Sequence, residues 1–86
     1  SEIENTIMKY PGIKAVKVLN IVKENKSSSL QAYIVGDKKW TSNNMTQFLG
    51  NKLPSYMIPS SFIQVNSIPL TNNGKVNVKL LKELKA

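Results

Sequence analysis

The chain has no cysteine and no histidine, which excludes thiol nucleophiles, imidazole bases and the usual zinc sites. All twelve basic residues are lysine, and one of them is placed unlike the rest. In Pro69-Leu70-Thr71-Asn72-Asn73-Gly74-Lys75-Val76-Asn77-Val78, a short apolar strand ending at Leu70 runs into a polar turn that delivers Lys75 directly after a glycine. Asn-Gly is a strong turn signal because both residues tolerate positive φ at low cost. The spacing therefore puts Lys75 where the backbone reverses, on a tip. A lysine so placed is either a solvated surface charge or a compact cation with three donors that enters a neighbouring cavity. The stretch by itself leaves both readings open.

Paired carboxylates offer little. Glu2 and Glu4 are two apart on a predicted helix and do not face each other, so capping and helix-dipole stabilisation account for them better than acid–base work. The chain contains no glycine-rich phosphate cradle, no magnesium-binding carboxylate pair and no evident adenine pocket.

The elements that must position Lys75 follow from periodicity. Ser1-Glu2-Ile3-Glu4 has the form of a capping box, Ile3, Ile7 and Met8 give a short apolar stripe, and Pro11-Gly12 ends that helix. Residues 15–23 and 30–35 read as two strands joined by a polar turn. In the second, Leu30, Ala32 and Ile34 fall on one face and Gln31, Tyr33 and Val35 on the other. Gly36-Asp37-Lys38-Lys39 closes this antiparallel hairpin.

Thr41 or Ser42 caps a helix carrying Met45, Phe48, Leu49 and Leu53 at helical spacing, with Trp40 as staple or edge cover. Pro54 and Pro59 bracket an extended connector. Phe62 to Val65 forms a third strand, and Asn77 caps a last helix bearing Leu80, Leu81 and Leu84. Three strands are too few for the two covered faces of a doubly wound fold. The economical solution is an α+β domain, a small three-stranded sheet with about three packed helices in the order helix, strand, strand, helix, strand, helix.

The chain of 86 residues makes one domain, 41% hydrophobic, with net charge +7. That charge raises nucleic acid, an anionic membrane, or an acidic protein or phosphate-bearing partner. Absence of arginine and the spread of lysines along the chain argue against nucleic acid, as does Tyr33 being the sole strong aromatic candidate on the strands. No apolar run approaches membrane-spanning length, and the lack of cysteine fits a reducing, cytoplasmic setting.

Five stretches, in order, resemble the small C-terminal subdomain of adenylate-forming enzymes, most nearly the adenylation domains of nonribosomal peptide synthetases. They are Glu2-Ile3-Glu4; Tyr10-Pro11-Gly12-Ile13 with Ala15-Val16-Lys17-Val18; Leu30 through Val35; Leu53-Pro54-Ser55-Tyr56-Met57-Ile58-Pro59; and Pro69-Leu70-Thr71 with Asn73-Gly74-Lys75-Val76. Asn73 before Gly74-Lys75 points to peptide synthetases, or to the related ligases that load D-alanine onto a carrier protein. Where such relatives commonly carry aspartate-arginine after glycine-lysine-valine, this chain has Asn77-Val78.

The resemblance implies that residues 1–86 are a mobile lid on a large N-terminal ATP-binding core. It implies Lys75 as the catalytic residue, with Thr71, Asn73 and Gly74 forming the loop near ATP and substrate. The full ligase would use ATP and Mg²⁺ to make an acyl-adenylate of an amino or aryl acid, then pass the acyl group to the phosphopantetheine of a peptidyl carrier protein. The chain alone is expected to bind no cofactor and to be inactive. A non-catalytic interaction module of the same fold and a small basic nucleic-acid-binding domain are the alternatives.

Overall fold

A computed structural model describes residues 1–37 and 39–84. The first helix, α1 (Glu2–Ile7), starts at Ser1, whose Oγ accepts from the Glu4 N–H at 3.2 Å. Strands β1 (Ile13–Val22) and β2 (Ser28–Gly36) pair antiparallel, as the alternation in the sequence predicts. Helix α2 (Ser42–Gly50) is capped by Thr41, whose Oγ1 accepts from the Asn44 N–H at 3.0 Å. It carries the chain back so that β3 (Ser61–Gln64) pairs parallel to β2. A parallel pair needs a crossover of this kind, because a tight turn cannot return the chain in the same direction. The sheet order is β1-β2-β3, and helix α3 (Val78–Glu83) ends the described elements. The fold is α+β, in the element order read from the sequence. Lys38 of the predicted hairpin closure lies outside the described residues.

Both faces of the sheet carry a small apolar cluster, within the expected α+β plan and without a doubly wound fold. On one face Ala32 and Ile34 meet Ile7 of α1 and Met45 and Leu49 of α2. On the other, Leu19, Tyr33 and Val65 meet Leu81 of α3. The alternation along β2 thus feeds two small cores instead of one core and one wet face. A register shift between Ile13 and Ala15 inserts one residue, so Ile13 shares a cluster with Val16 and Val18 despite the odd spacing. The rings of Tyr10 and Phe48 meet edge to face at 5.2 Å, packing the end of α1 against α2.

Several expectations change in detail. Between Pro54 and Pro59 the chain takes one 3₁₀ turn over Ser55–Met57 instead of staying extended. The residues flanking that turn, Pro54 and Ile58, are extended, and Ile58, directly before Pro59, obeys the steric rule. Met57 and Ile58 donate their N–H groups to Pro54 O and Ser55 O, so the short turn satisfies its own backbone. Leu80 and Met8 are exposed, while Leu81 of α3 and Ile7 of α1 are the fully buried anchors. Both helices are six residues long and bury too narrow a stripe for every apolar position to face inward. Trp40 acts as an edge cover: its Nε1–H donates to Gln64 Oε1 at 2.9 Å and its ring meets Phe62.

Glu4 does more than close the capping box. The Val18 N–H of β1, an edge strand, donates to Glu4 Oε2 at 2.7 Å, and Lys17 Nζ lies 3.8 Å from the same oxygen. Burial alone would raise the Glu4 pKa, but the Val18 bond, the Lys17 charge and the contacts with Ser1 together outweigh it and hold the group below its ordinary 4.5. A carboxyl whose folded pKa is depressed stabilises the fold above the unfolded value, and that contribution is lost as pH falls through the folded value. Acidification below 4.5 should therefore lower the wild-type denaturation midpoint more steeply than that of Glu4→Gln, checked by urea titrations at a series of pH values.

Candidate functional site

The Lys75 loop is built as a small hairpin. Leu70 and Val76 bridge antiparallel, and inside that pair the Thr71 N–H donates to Lys75 O. The Lys75 N–H donates to Thr71 Oγ1 at 3.3 Å, and the Gly74 N–H donates to Thr71 O at 2.9 Å. Thr71 is therefore the brace of the loop, using its backbone N–H, backbone O and hydroxyl. Asn72, Asn73 and Gly74 form the reversal. Gly74 has φ +83°, whereas neither asparagine takes positive φ. This is the three-residue hairpin plan, in which a turn is followed by one left-handed residue. The sequence reading assigned the permissive φ to both Asn73 and Gly74; the glycine alone uses it. Lys75 correspondingly occupies the first position of the return arm, one residue past the tip.

An added Cβ at Gly74 would meet nothing within 4 Å, so its requirement is conformational and not steric crowding. Gly74→Ala should destabilise the chain by about 1–2 kcal/mol through left-handed strain, with Gly74→Asn recovering part of that loss. Thermal melts of the two variants check this.

The base of the loop is tied to the fold. The Asn77 N–H donates to Pro69 O at 2.8 Å, and Asn77 Oδ1 accepts from the Leu80 N–H at 3.0 Å as the cap of α3. One turn later Leu81 is fully buried, and Val76 packs against the same cluster. The departure at Asn77-Val78 thus leaves helix capping intact, as expected of asparagine. Lys75 itself is exposed, as are Thr71, Asn73 and Gly74. Among the described residues the ion pairs converge on Glu4 and none engages Lys75.

The structure brings Thr71, Asn73, Gly74 and Lys75 together on one rigidly based, outward-facing loop. Leu70, Val78 and Leu80 beside it in sequence are exposed apolar residues. Sequence reasoning put Leu80, Leu81 and Leu84 on the last helix without separating them, and missed an apolar flank that the short, one-sided α3 leaves exposed. Among the described residues no helix is long and apolar enough to cross a membrane.

Comparison with known proteins places this geometry. The profile described as AMP-binding enzyme C-terminal domain matches residues 2–75, ending on the loop lysine. Gramicidin S synthase 2 of Brevibacillus brevis is 49% identical over 95% of this chain, which spans 2% of that protein. Surfactin synthase subunit 3 of Bacillus subtilis (strain 168) is 38% identical over 93% of the chain, spanning 6% of it. Among solved structures, a holo four-domain nonribosomal peptide synthetase bound to AMP and glycine superposes with a TM-score of 0.82 at 33% identity. That match covers 91% of this chain and 6% of the synthetase. A fatty acyl CoA synthetase of Mycobacterium tuberculosis gives a TM-score of 0.82 at 28% identity, covering 95% of this chain and 16% of that one. The chain spans a small fraction of each relative and resembles the peptide synthetases more in sequence than the acyl-CoA ligase. It belongs to the AMP-binding enzyme C-terminal domain family, the C-terminal domain of adenylate-forming ligases.

Proposed function

We propose that this chain is the lid of an amino- or aryl-acid-activating synthetase, and that Lys75 is its contribution to adenylate formation. The observation that carries the reading is an exposed ammonium on a loop held by Thr71 and Gly74 and anchored through Asn77 and Leu81. Such a loop keeps its shape while leaving the cation free to enter another module's cavity.

In the first half-reaction a substrate carboxylate attacks the α-phosphorus of ATP and pyrophosphate leaves. Two anions must be brought together, and negative charge builds on the oxygens of a pentavalent phosphorus. An ammonium with three donors offsets that charge and orients both reactants, more strongly where the closing lid excludes water. Lys75 needs no proton transfer for this; its fixed charge is enough. Mg²⁺ would travel with ATP in the core. Among the described residues no group of three Asp, Glu, His or Cys side chains gathers at one point.

The second half-reaction moves the acyl group from the adenylate to the phosphopantetheine thiol of a peptidyl carrier protein, expelling AMP. In this reading the lid turns away from its first position for that step, and Lys75 leaves the reacting atoms. The net charge of +7 suits approach of an acidic carrier. The similarity to peptide synthetases supports this reading over a nucleic-acid-binding role.

The chain alone should show no substrate-dependent pyrophosphate exchange, and a core lacking the chain little. Joining the two in one polypeptide should restore exchange. Equal activity of the core with and without this chain would overturn the reading.

A further inference from the structure

Among the described residues, the polar ties between the first turn of α1 and the sheet come from one side chain. Glu4 Oε2 accepts the Val18 N–H at 2.7 Å and lies 3.8 Å from Lys17 Nζ. Val18 stands opposite Ala32 in the β1-β2 register, on the strand whose outer edge has no neighbouring strand. Glu4 therefore occupies a backbone donor that would otherwise be open to solvent or to another strand. The apolar anchoring of α1 is concentrated further along: Ile7 is fully buried and Ile3 only half-buried. A charge-assisted bond at this distance is one of the stronger kinds. It sits in the first turn of α1, three residues before that anchor.

We propose that Glu4 is a positioning residue for Lys75: by clasping the entry turn to the outer edge of β1, it makes that turn part of the rigid body that carries the Thr71–Lys75 loop. The proposal rests on the catalytic reading of Lys75 and adds to it the point from which the lid is aimed. Without the clasp, the first turn keeps its helical hydrogen bonds and the half-buried Ile3 against the core, but loses its polar tie to β1 and can shift against the sheet. A cation that must meet anionic oxygens loses efficiency steeply when its placement loosens by about 1 Å. Glu4 touches no reacting atom; it acts through Lys75.

The test uses the polypeptide in which this chain is joined to its core. Glu4→Ala and Glu4→Gln are each made with and without Lys75→Ala, and adenylate formation is measured in single turnovers. Hydrogen exchange of the β1 peptide and the thermal midpoint are followed in the same proteins. With Lys75 present, Glu4→Ala should slow adenylate formation about 10-fold and speed exchange at β1 about 10-fold. In the Lys75→Ala background the same change should cost less than about 2-fold, because the group being aimed is gone. Glu4→Gln, whose amide oxygen still accepts from Val18, should recover most of both effects.

Equal slowing by Glu4→Ala in both backgrounds would show a merely structural role and overturn the proposal. An unchanged rate despite faster β1 exchange would show a clasp that aims nothing, and would overturn it too. If Lys75→Ala alone leaves adenylate formation unchanged, the catalytic reading of Lys75 fails and takes this proposal with it. The β1 exchange result then still reports on the clasp itself.

Discussion

Lys75→Ala, made in the joined enzyme, should slow adenylate formation about 10²–10³-fold, the loss associated with removing one well-placed donor to a developing oxyanion. Thioester formation from preformed adenylate should change far less. The asymmetry follows from what each step asks of the ammonium. Adenylation brings a carboxylate against a polyphosphate and builds charge on phosphorus oxygens, whereas transfer to a thiol starts from an adenylate already made. The fold should not confuse the result. The loop is held by the Lys75 backbone N–H and O and by Thr71, none of which needs the lysine side chain. The side chain is exposed, and among the described residues it joins no ion pair. Lys75→Arg keeps the charge but spreads it over a planar fork, and should fall between wild type and alanine. Pyrophosphate exchange and carrier loading measured separately decide the matter, and equal slowing of both half-reactions would count against a role confined to the first.

The candidate loop was legible in the sequence because its grammar is local. Asn-Gly followed by lysine, a threonine four residues before that lysine and an asparagine two after it are each read within one hairpin. The structure makes Thr71 the brace and Asn77 the tie to α3. Strand alternation in β2 was equally local, and it correctly separated Ala32 and Ile34 from Tyr33 and Val35.

What periodicity could not supply was partner choice across the sheet. Glu4 reads as a capping residue because its sequence neighbours include Ser1, while its second role depends on a strand fourteen residues away. Leu80 and Leu81 are adjacent leucines with opposite fates, because successive helical residues point about 100° apart and a six-residue helix turns only one of the two onto the second face. The 3₁₀ turn between the two prolines arose because the rule for residues preceding proline constrains Ile58 and leaves Ser55 to Met57 free to turn.

Gly36→Ala should be among the most damaging substitutions in the chain, although glycine at the end of a strand reads as an ordinary closure. Its requirement is steric. A Cβ there would stand 2.4 Å from Gly12 O and 3.0 Å from the Cα of Ile13, both backbone atoms that cannot swing aside as a side-chain tip would. Gly12 is itself fixed, at φ +89°, with its O accepting the Asp37 N–H at 3.0 Å. Ile13 is held in the first core cluster beside Ile7. Relief must therefore shift the register at the Ile13–Gly36 pair or break the Gly12–Asp37 bond. Overpacking of about 1–3 kcal/mol plus a lost hydrogen bond of about 1 kcal/mol sets the cost at roughly 3 kcal/mol. A domain of this size has about 4–13 kcal/mol in total. The melting temperature should accordingly drop by about 12–24 °C, at some 4–8 °C per kcal/mol.

Gly50→Ala is the matched control: it lies at the end of α2 with nothing within 4 Å of the added methyl. Reduced backbone entropy in the unfolded chain should leave it neutral or up to about 1 kcal/mol more stable. Urea midpoints of both variants separate the explanations. If Gly36→Ala unfolds at the wild-type midpoint, the Gly12–Gly36 contact yields without cost and is not what pins the exit of α1 against the sheet.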